Sequence, residues 1–132
     1  MKIGFVAGAF DLLHPGHIQL LRDCKDMCEY LVVGLHVDPS TERKEKNKPV
    51  QTVYERFEQL KACKYVDQVV PYETENDLLN MLNNGVINVR FLGGDYNSRG
   101  KEITGEKIVP IEIIPRGHSY SSYELRERIK KS

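Results

Sequence analysis

A doubly wound α/β sheet, five parallel strands with helices on both faces, is the fold class that this chain of 132 residues predicts. Three observations predict it. Short apolar runs rich in β-branched residues alternate with segments whose apolar residues recur at helical spacing. The run Tyr30-Leu31-Val32-Val33-Gly34-Leu35-His36-Val37 is apolar almost without a break, as suits a strand covered on both faces. Glycine, proline and polar clusters punctuate the runs at lengths that fit βαβ crossovers, which keep strands parallel.

Taken in order, Ile3–Ala7 is a short buried strand closed by Gly8. Pro15 to about Glu29 is the first helix, with proline in the first turn, where its missing N–H costs nothing. Tyr30–Val37 is the second strand, and Asp38–Pro49, polar and rich in lysine and arginine, is an exposed loop. Thr52 with Glu55 three residues on forms a capping box for a second helix that runs to about Cys63. Val66–Val70 is strand three, and Glu75–Asn84 is a helix with Gly85 as its C-cap. Val89–Leu92 is strand four, followed at once by Gly93-Gly94-Asp95-Tyr96, and residues 97–108 are polar without a clear period. Val109–Ile114 is strand five, and Ser122–Lys131 is a charged final helix. No repeat, low-complexity tract or long linker divides the chain, so a single Rossmann-like domain over residues 1–132 is expected. In such sheets ligands bind beyond the carboxyl ends of the strands. Four polar segments follow predicted strand ends: 8–17, 38–48, 93–96 and 115–122.

Nineteen basic and nineteen acidic residues cancel, so no global field attracts nucleic acid or an anionic membrane. Any anion site must be local. No apolar run reaches membrane-spanning length, and the N-terminus lacks the layout of a signal peptide. Cys24 and Cys28 share a helix face, and with no His or Cys cluster to complete a zinc set they read as small core residues. A reduced, cytoplasmic protein is the expectation.

The sharpest stretch is Gly8-Ala9-Phe10-Asp11-Leu12-Leu13-His14-Pro15-Gly16-His17, between the first strand and the first helix. A helix start leaves backbone N–H groups unpaired and carries partial positive charge, which makes it an anion site. Two histidines spaced by Pro-Gly add side-chain donors at the same place. Asp11 is either a turn former or a residue that orients His14 or His17.

The stretch resembles the HxGH motif of the cytidylyltransferase-like nucleotidyltransferases, which include glycerol-3-phosphate, choline-phosphate and ethanolamine-phosphate cytidylyltransferases. The resemblance covers nearly the whole chain. Tyr30-Leu31-Val32-Val33-Gly34 with Asp38 is similar to the family's second strand and the segment after it. Lys46-Asn47-Lys48-Pro49-Val50 with Glu55-Arg56 resembles the lysine-loop and Glu-Arg pattern of the phospho-alcohol enzymes, and Cys63 to Val69 resembles their Arg-Tyr-Val-Asp-Glu-Val stretch. Arg116 with Ser119-Tyr120-Ser121-Ser122 lies where that family has Arg-Thr-Glu-Gly-Ile-Ser-Thr-Thr. Gly93-Gly94-Asp95-Tyr96 is instead similar to the heptose-1-phosphate adenylyltransferases of the same wider group, while Arg116 points back to the cytidylyltransferases.

The resemblance implies attack of a phosphomonoester oxygen on the α-phosphate of a nucleoside triphosphate, with pyrophosphate leaving. Since the attacking group is already an anion, the site needs alignment and charge-stabilising donors rather than a strong base. By resemblance His14, His17, Lys46 and Arg116 are catalytic. Gly8, Ala9, Phe10, Asp11, Gly16, Lys44, Arg56, Gly94, Asp95, Ser121 and Ser122 bind nucleotide, with Asp95 on ribose or base. Lys48 is left as surface, Arg56 beside Glu55 has a surface ion pair as its bland account, and helix capping alone also explains the two serines. Mg²⁺ is expected through the triphosphate, since no dense carboxylate cluster offers a dedicated cage. His36 and His118 receive no catalytic role.

The expected reaction is transfer of CMP from CTP to a small phosphorylated alcohol such as glycerol-3-phosphate. The alternative is adenylyl transfer from ATP to a sugar 1-phosphate such as heptose-1-phosphate. A more distant one is a non-catalytic nucleotide-binding module, which would not need both histidines, Lys46 and Arg116 together. Nucleic-acid binding through the 42–48 loop is disfavoured by neutral charge and the lack of interleaved aromatics. A homodimer is expected, because Tyr65-Val66-Asp67 resembles a stretch near the family's subunit contacts.

Overall fold

Apolar runs and capped helices assemble into one sheet in the computed structural model, which describes residues 1–94, 105 and 107–132. The strands are β1 (Ile3–Gly8), β2 (Tyr30–His36), β3 (Gln68–Tyr72), β4 (Val89–Gly93) and β5 (Ile111–Ile114). The helices are α1 (Pro15–Asp26), α2 (Val53–Ala62), α3 (Glu75–Leu82) and α4 (Ser122–Lys131), with a short 3-10 turn at Pro39–Thr41. Spatial order is β3-β2-β1-β4-β5, and every neighbouring pair is parallel. This is the doubly wound, Rossmann-like α/β architecture that the sequence predicts.

Alternation along the strands feeds two cores. Val6, Leu31, Val33, Leu35, Val89 and Phe91 face one side, where Leu21 and Cys24 of α1 and Leu60 of α2 cover them. Phe5, Val32 and Tyr72 face the other, beneath Leu78 and Leu82 of α3. Cys24 is fully buried and burial pushes its thiol up to about 12, in keeping with a packing role. Among the described residues no helix is long and apolar enough to cross a membrane.

Several boundaries depart from the sequence expectation, among them the end of α1, which falls at Asp26 and not near Glu29. β3 lies two residues later, because Gln68 to Tyr72 pair with Val32 to His36 while Val66 closes a turn onto the Cys63 carbonyl. Pro71 falls inside that strand, which an edge position tolerates. α3 ends at Leu82 with Asn83 as C-cap, and Gly85, at φ +79°, instead makes the turn toward β4. β5 starts at Ile111, because Val109 is buried ahead of it and the Pro110 carbonyl accepts from Arg90 N–H.

The chain runs from β1 out to β2 and β3, then returns past β1 to β4. The carboxyl ends of β1 and β4 therefore flank the switch point, where such sheets open a crevice.

Candidate active site

Residues 8–17 leave β1 through a tight, unusual backbone. Phe10 and Leu12 have φ of 50° and 52°, a left-handed conformation that costs bulky residues about 1–3 kcal/mol and needs support from the surroundings. Asp11 supplies that support. Its carboxylate, 5 % exposed, accepts from Val50 N–H at 2.7 Å and Gln51 N–H at 2.9 Å, and pairs with Arg126 of α4 at 2.6 Å. Its carbonyl accepts from the Ser122 hydroxyl at 2.7 Å, and Leu12 N–H donates to the Gln51 side chain at 2.8 Å. Asp11 thus knots the motif loop to the starts of α2 and α4, and neither histidine is among those hydrogen-bond partners.

Arg56 performs a related task and corrects an expectation. The guanidinium is 2 % exposed and makes five hydrogen bonds, all to backbone carbonyls. Those carbonyls belong to Ala9, His36, Val37, Gln51 and Thr52. It ties the ends of β1 and β2 to the start of α2, so its donors serve the scaffold and not a surface ion pair.

The His-Pro-Gly-His turn is a capping box made of imidazoles. His14 is the N-cap of α1, and its Nδ1 accepts from Gly16 N–H at 3.0 Å. His17 Nδ1 reaches back to accept from His14 N–H at 3.2 Å. The rings stack with centroids 3.8 Å apart. Since both Nδ1 atoms accept, the neutral rings carry their protons on Nε2. Gly16 is required by crowding: a Cβ there would lie 2.4 Å from His118 Cε1 and 2.8 Å from His14 Cε1. No acidic residue occupies the first turn of α1, so the helix dipole there is left to an incoming anion.

The segment after β5 folds back over this turn. Arg116 donates to the Tyr120 carbonyl at 2.5 Å, and its charge reaches both His14 and His17. Gly94 lies against it, since a Cβ there would be 3.2 Å from the Arg116 backbone nitrogen. Ser121 caps α4 by accepting from Glu124 N–H at 3.0 Å, while Ser122 bonds the motif loop. His118, with Nδ1 accepting from Tyr120 N–H at 3.1 Å, adds a third imidazole beside Gly16. Nothing in the local sequence pattern marks His118.

A cavity of about 550 Å³ opens over the carboxyl edge of the sheet. Gly8, Ala9, Phe10, Asp11, His17, Lys46 and Ser122 of the sequence-derived set line it. Lys44 is exposed outside it, and Asp95 lies outside the described residues. The basic loop is anchored as well as charged, with Arg43 paired to Glu75 at 3.2 Å and Glu42 accepting from Glu75 N–H at 2.9 Å. His36, Tyr72 and Arg90 also line the cavity, and sequence reasoning missed all three. Their only signal was position, at or near the ends of strands.

The sequence pattern of the cytidylyltransferase-like family matches residues 5–128. This chain belongs to that family. The bifunctional protein HldE of Rhodopseudomonas palustris strain BisB18 is 38 % identical over 139 residues, covering all of this chain and 28 % of that protein. HldE of Nitrobacter hamburgensis is 40 % identical over 133 residues, covering 96 % of this chain and 27 % of the relative. The chain thus spans little more than a quarter of the length of these curated relatives. Among solved structures, a lipopolysaccharide core biosynthesis protein from Thermoplasma volcanium superposes with a TM-score of 0.70 at 26 % identity, over 92 % of this chain and 99 % of that one. A pantoate-beta-alanine ligase from Francisella tularensis shares the fold at 16 % identity and a TM-score of 0.61, over 99 % and 70 % of the two chains.

Electrostatics suit the cytidylyltransferase-like site to anions without charging its histidines beforehand. Burial, then His14, lowers the His17 pKa to about 3, and burial with His118 and Arg116 lowers that of His14. Both are neutral donors at neutral pH. A bound polyanion would stabilise their protonated forms, so the site responds to the charge it receives.

Proposed function

We propose that this chain transfers an adenylyl group from ATP to the phosphate of a sugar 1-phosphate, releasing pyrophosphate. A phosphate oxygen of the acceptor bonds to the α-phosphorus as the bond to the β-phosphate oxygen breaks, and pyrophosphate carries away the charge. The observation that carries the reading is the imidazole capping box, which holds two Nε2–H donors at a helix N-terminus on the rim of a cavity. Lys46 from the anchored loop and Arg116 from the segment after β5 add cationic contacts to the phosphates. The hydroxyl and N–H groups at the start of α4 serve the leaving group. Mg²⁺ would be held mainly through triphosphate oxygens and add charge neutralisation there.

Gly93-Gly94-Asp95-Tyr96, similar to heptose-1-phosphate adenylyltransferases, supports ATP and a sugar phosphate. So do the relationships to HldE and to a lipopolysaccharide core biosynthesis protein. Arg116 favours the second reading, CTP with a phospho-alcohol. Pyrophosphate release measured with ATP and CTP, each against heptose-1-phosphate, glycerol-3-phosphate and ethanolamine phosphate, separates the two. ATP with heptose-1-phosphate is expected to turn over fastest; CTP with glycerol-3-phosphate in first place would restore the second reading. Absence of turnover with every pair would sink the enzyme reading. A homodimer through the Tyr65–Asp67 region belongs to the same proposal, and a monomeric mass at micromolar concentration would refute it.

A further inference from the structure

His36 ends β2 on the α3 face of the sheet, in register with Tyr72 at the end of β3. The two rings stack with centroids 4.6 Å apart and an interplanar angle of 20°. His36 is 7 % exposed, lines the cavity, and has no hydrogen-bond partner for Nε2 among the described residues. A buried polar nitrogen left unsatisfied costs free energy, so one that borders a cavity asks what satisfies it there. The Glu73 backbone favours a proton on this ring, and with Nε2 unpartnered we assign that proton to Nδ1. Nδ1 then carries the proton and Nε2 presents a lone pair. That lone pair accepts, so it suits a hydroxyl and repels a phosphate oxygen. An ammonium group would also donate; Arg43, paired to Glu75, and Arg90 line the same cavity together with Glu45, so charge alone does not separate the two donors. The backbone fixes the reader in place: Arg56 binds the His36 carbonyl at 2.8 Å and the Ala9 carbonyl at 3.0 Å, which couples this end of the cavity to the histidine turn.

We infer that His36, held against Tyr72, is a specificity-determining residue that accepts a hydrogen bond from a hydroxyl on the carbon skeleton of the acceptor. The inference rests on the nucleotidyl-transfer reading above and adds to it which part of the cavity receives the hydroxylated skeleton.

The test uses His36→Phe, which keeps a ring on Tyr72 and removes the lone pair, and His36→Gln, which returns an acceptor oxygen near Nε2. Acceptor KM is measured with heptose-1-phosphate, its monodeoxy analogues and ethanolamine phosphate. Nucleotide affinity is measured separately by calorimetry with a non-hydrolysable ATP analogue. His36→Phe is expected to raise the heptose-1-phosphate KM about tenfold or more and to lose discrimination against one deoxy analogue. Nucleotide affinity is expected to hold within about twofold, and His36→Gln to recover part of the loss. Should His36→Phe fail to fold, His36→Gln and Tyr72→Leu carry the same comparison, with deoxy discrimination as the readout. An unchanged acceptor KM with wild-type turnover intact overturns the inference alone. So does a parallel loss of nucleotide affinity, or wild-type preference for ethanolamine phosphate that His36→Phe abolishes. A wild-type protein that turns over no acceptor overturns the transfer reading and this inference with it.

Discussion

Each imidazole of the turn gives its Nδ1 to the backbone and leaves Nε2 out of the cap, which makes cap and chemistry separable by substitution. Asparagine places an oxygen near the Nδ1 position but has nothing at Nε2. His14→Asn and His17→Asn are therefore expected to retain the bonds to Gly16 N–H and His14 N–H and to stay within about 1 kcal/mol of wild-type stability. Each is expected to lose roughly a hundred- to a thousandfold in kcat, the usual cost of deleting one transition-state donor. Denaturant melts beside pyrophosphate assays read both quantities, and a stable variant with wild-type kcat would remove that histidine from the chemistry. Arg56 is expected to show the reverse. Arg56→Met removes the guanidinium shared by five carbonyls, of which that of Thr52 keeps the backbone N–H of residue 56, and a loss of about 3 kcal/mol or more in unfolding free energy is expected. A denaturation midpoint equal to the wild-type one would show that these bonds do not hold the scaffold.

At the scale of elements, caps decide where helices begin and also where the site loop is pinned. Thr52 and Glu55 exchange hydrogen bonds of 3.1 and 2.9 Å at the start of α2, directly after the two N–H groups that Asp11 receives. Thr52→Ala is expected to cost about 1 kcal/mol and to lower the melting temperature by about 4 °C. A shift under about 1 °C would mean that tertiary contacts, and not the cap, hold this end. That box was legible from Thr and Glu at the right spacing, and so were the strand runs and the site loop with its histidines. The α3 box, Thr74 with Asp77, escaped because Asp stands where Glu is usual, and the His14–His17 box escaped because imidazoles rarely cap. The edges of β3 escaped because Pro71 reads as a stop, and only its edge position makes it admissible. Arg56 read as a nucleotide contact with a surface ion pair as its bland account, since burial of a guanidinium depends on carbonyls that other elements bring to it. His36, Tyr72 and Arg90 are separated in sequence and share a cavity only through the sheet.

For the whole molecule, the buried imidazoles set how stability depends on pH. An unfolded histidine titrates near pH 6.5. The folded protein holds His17 down to about 3, and burial lowers His14 and His36 as well. Between those limits the unfolded chain binds more protons than the folded one, so unfolding free energy falls as pH falls. The stability is fully present above about pH 6.5 and drains away below it, through the window that ends near the folded pKa of His17. Carboxylates enter lower down. Asp38 and Asp77 are held below the ordinary carboxylate range by hydrogen bonds from Ser40 and Thr74, and their contribution is lost only as pH drops below that range. Melts at about pH 7.5 and about pH 5 therefore isolate the histidines. The wild-type protein is expected to be less stable at the lower pH, and His17→Asn, which cannot titrate, to show a smaller difference. Binding of a non-hydrolysable ATP analogue at the lower pH is expected to take up protons, because the triphosphate raises the histidine pKa values it approaches. Calorimetry in two buffers of different ionisation enthalpy reads that uptake directly. Proton release, or a wild-type slope that His17→Asn leaves untouched, would show that the anion does not reach the histidine turn.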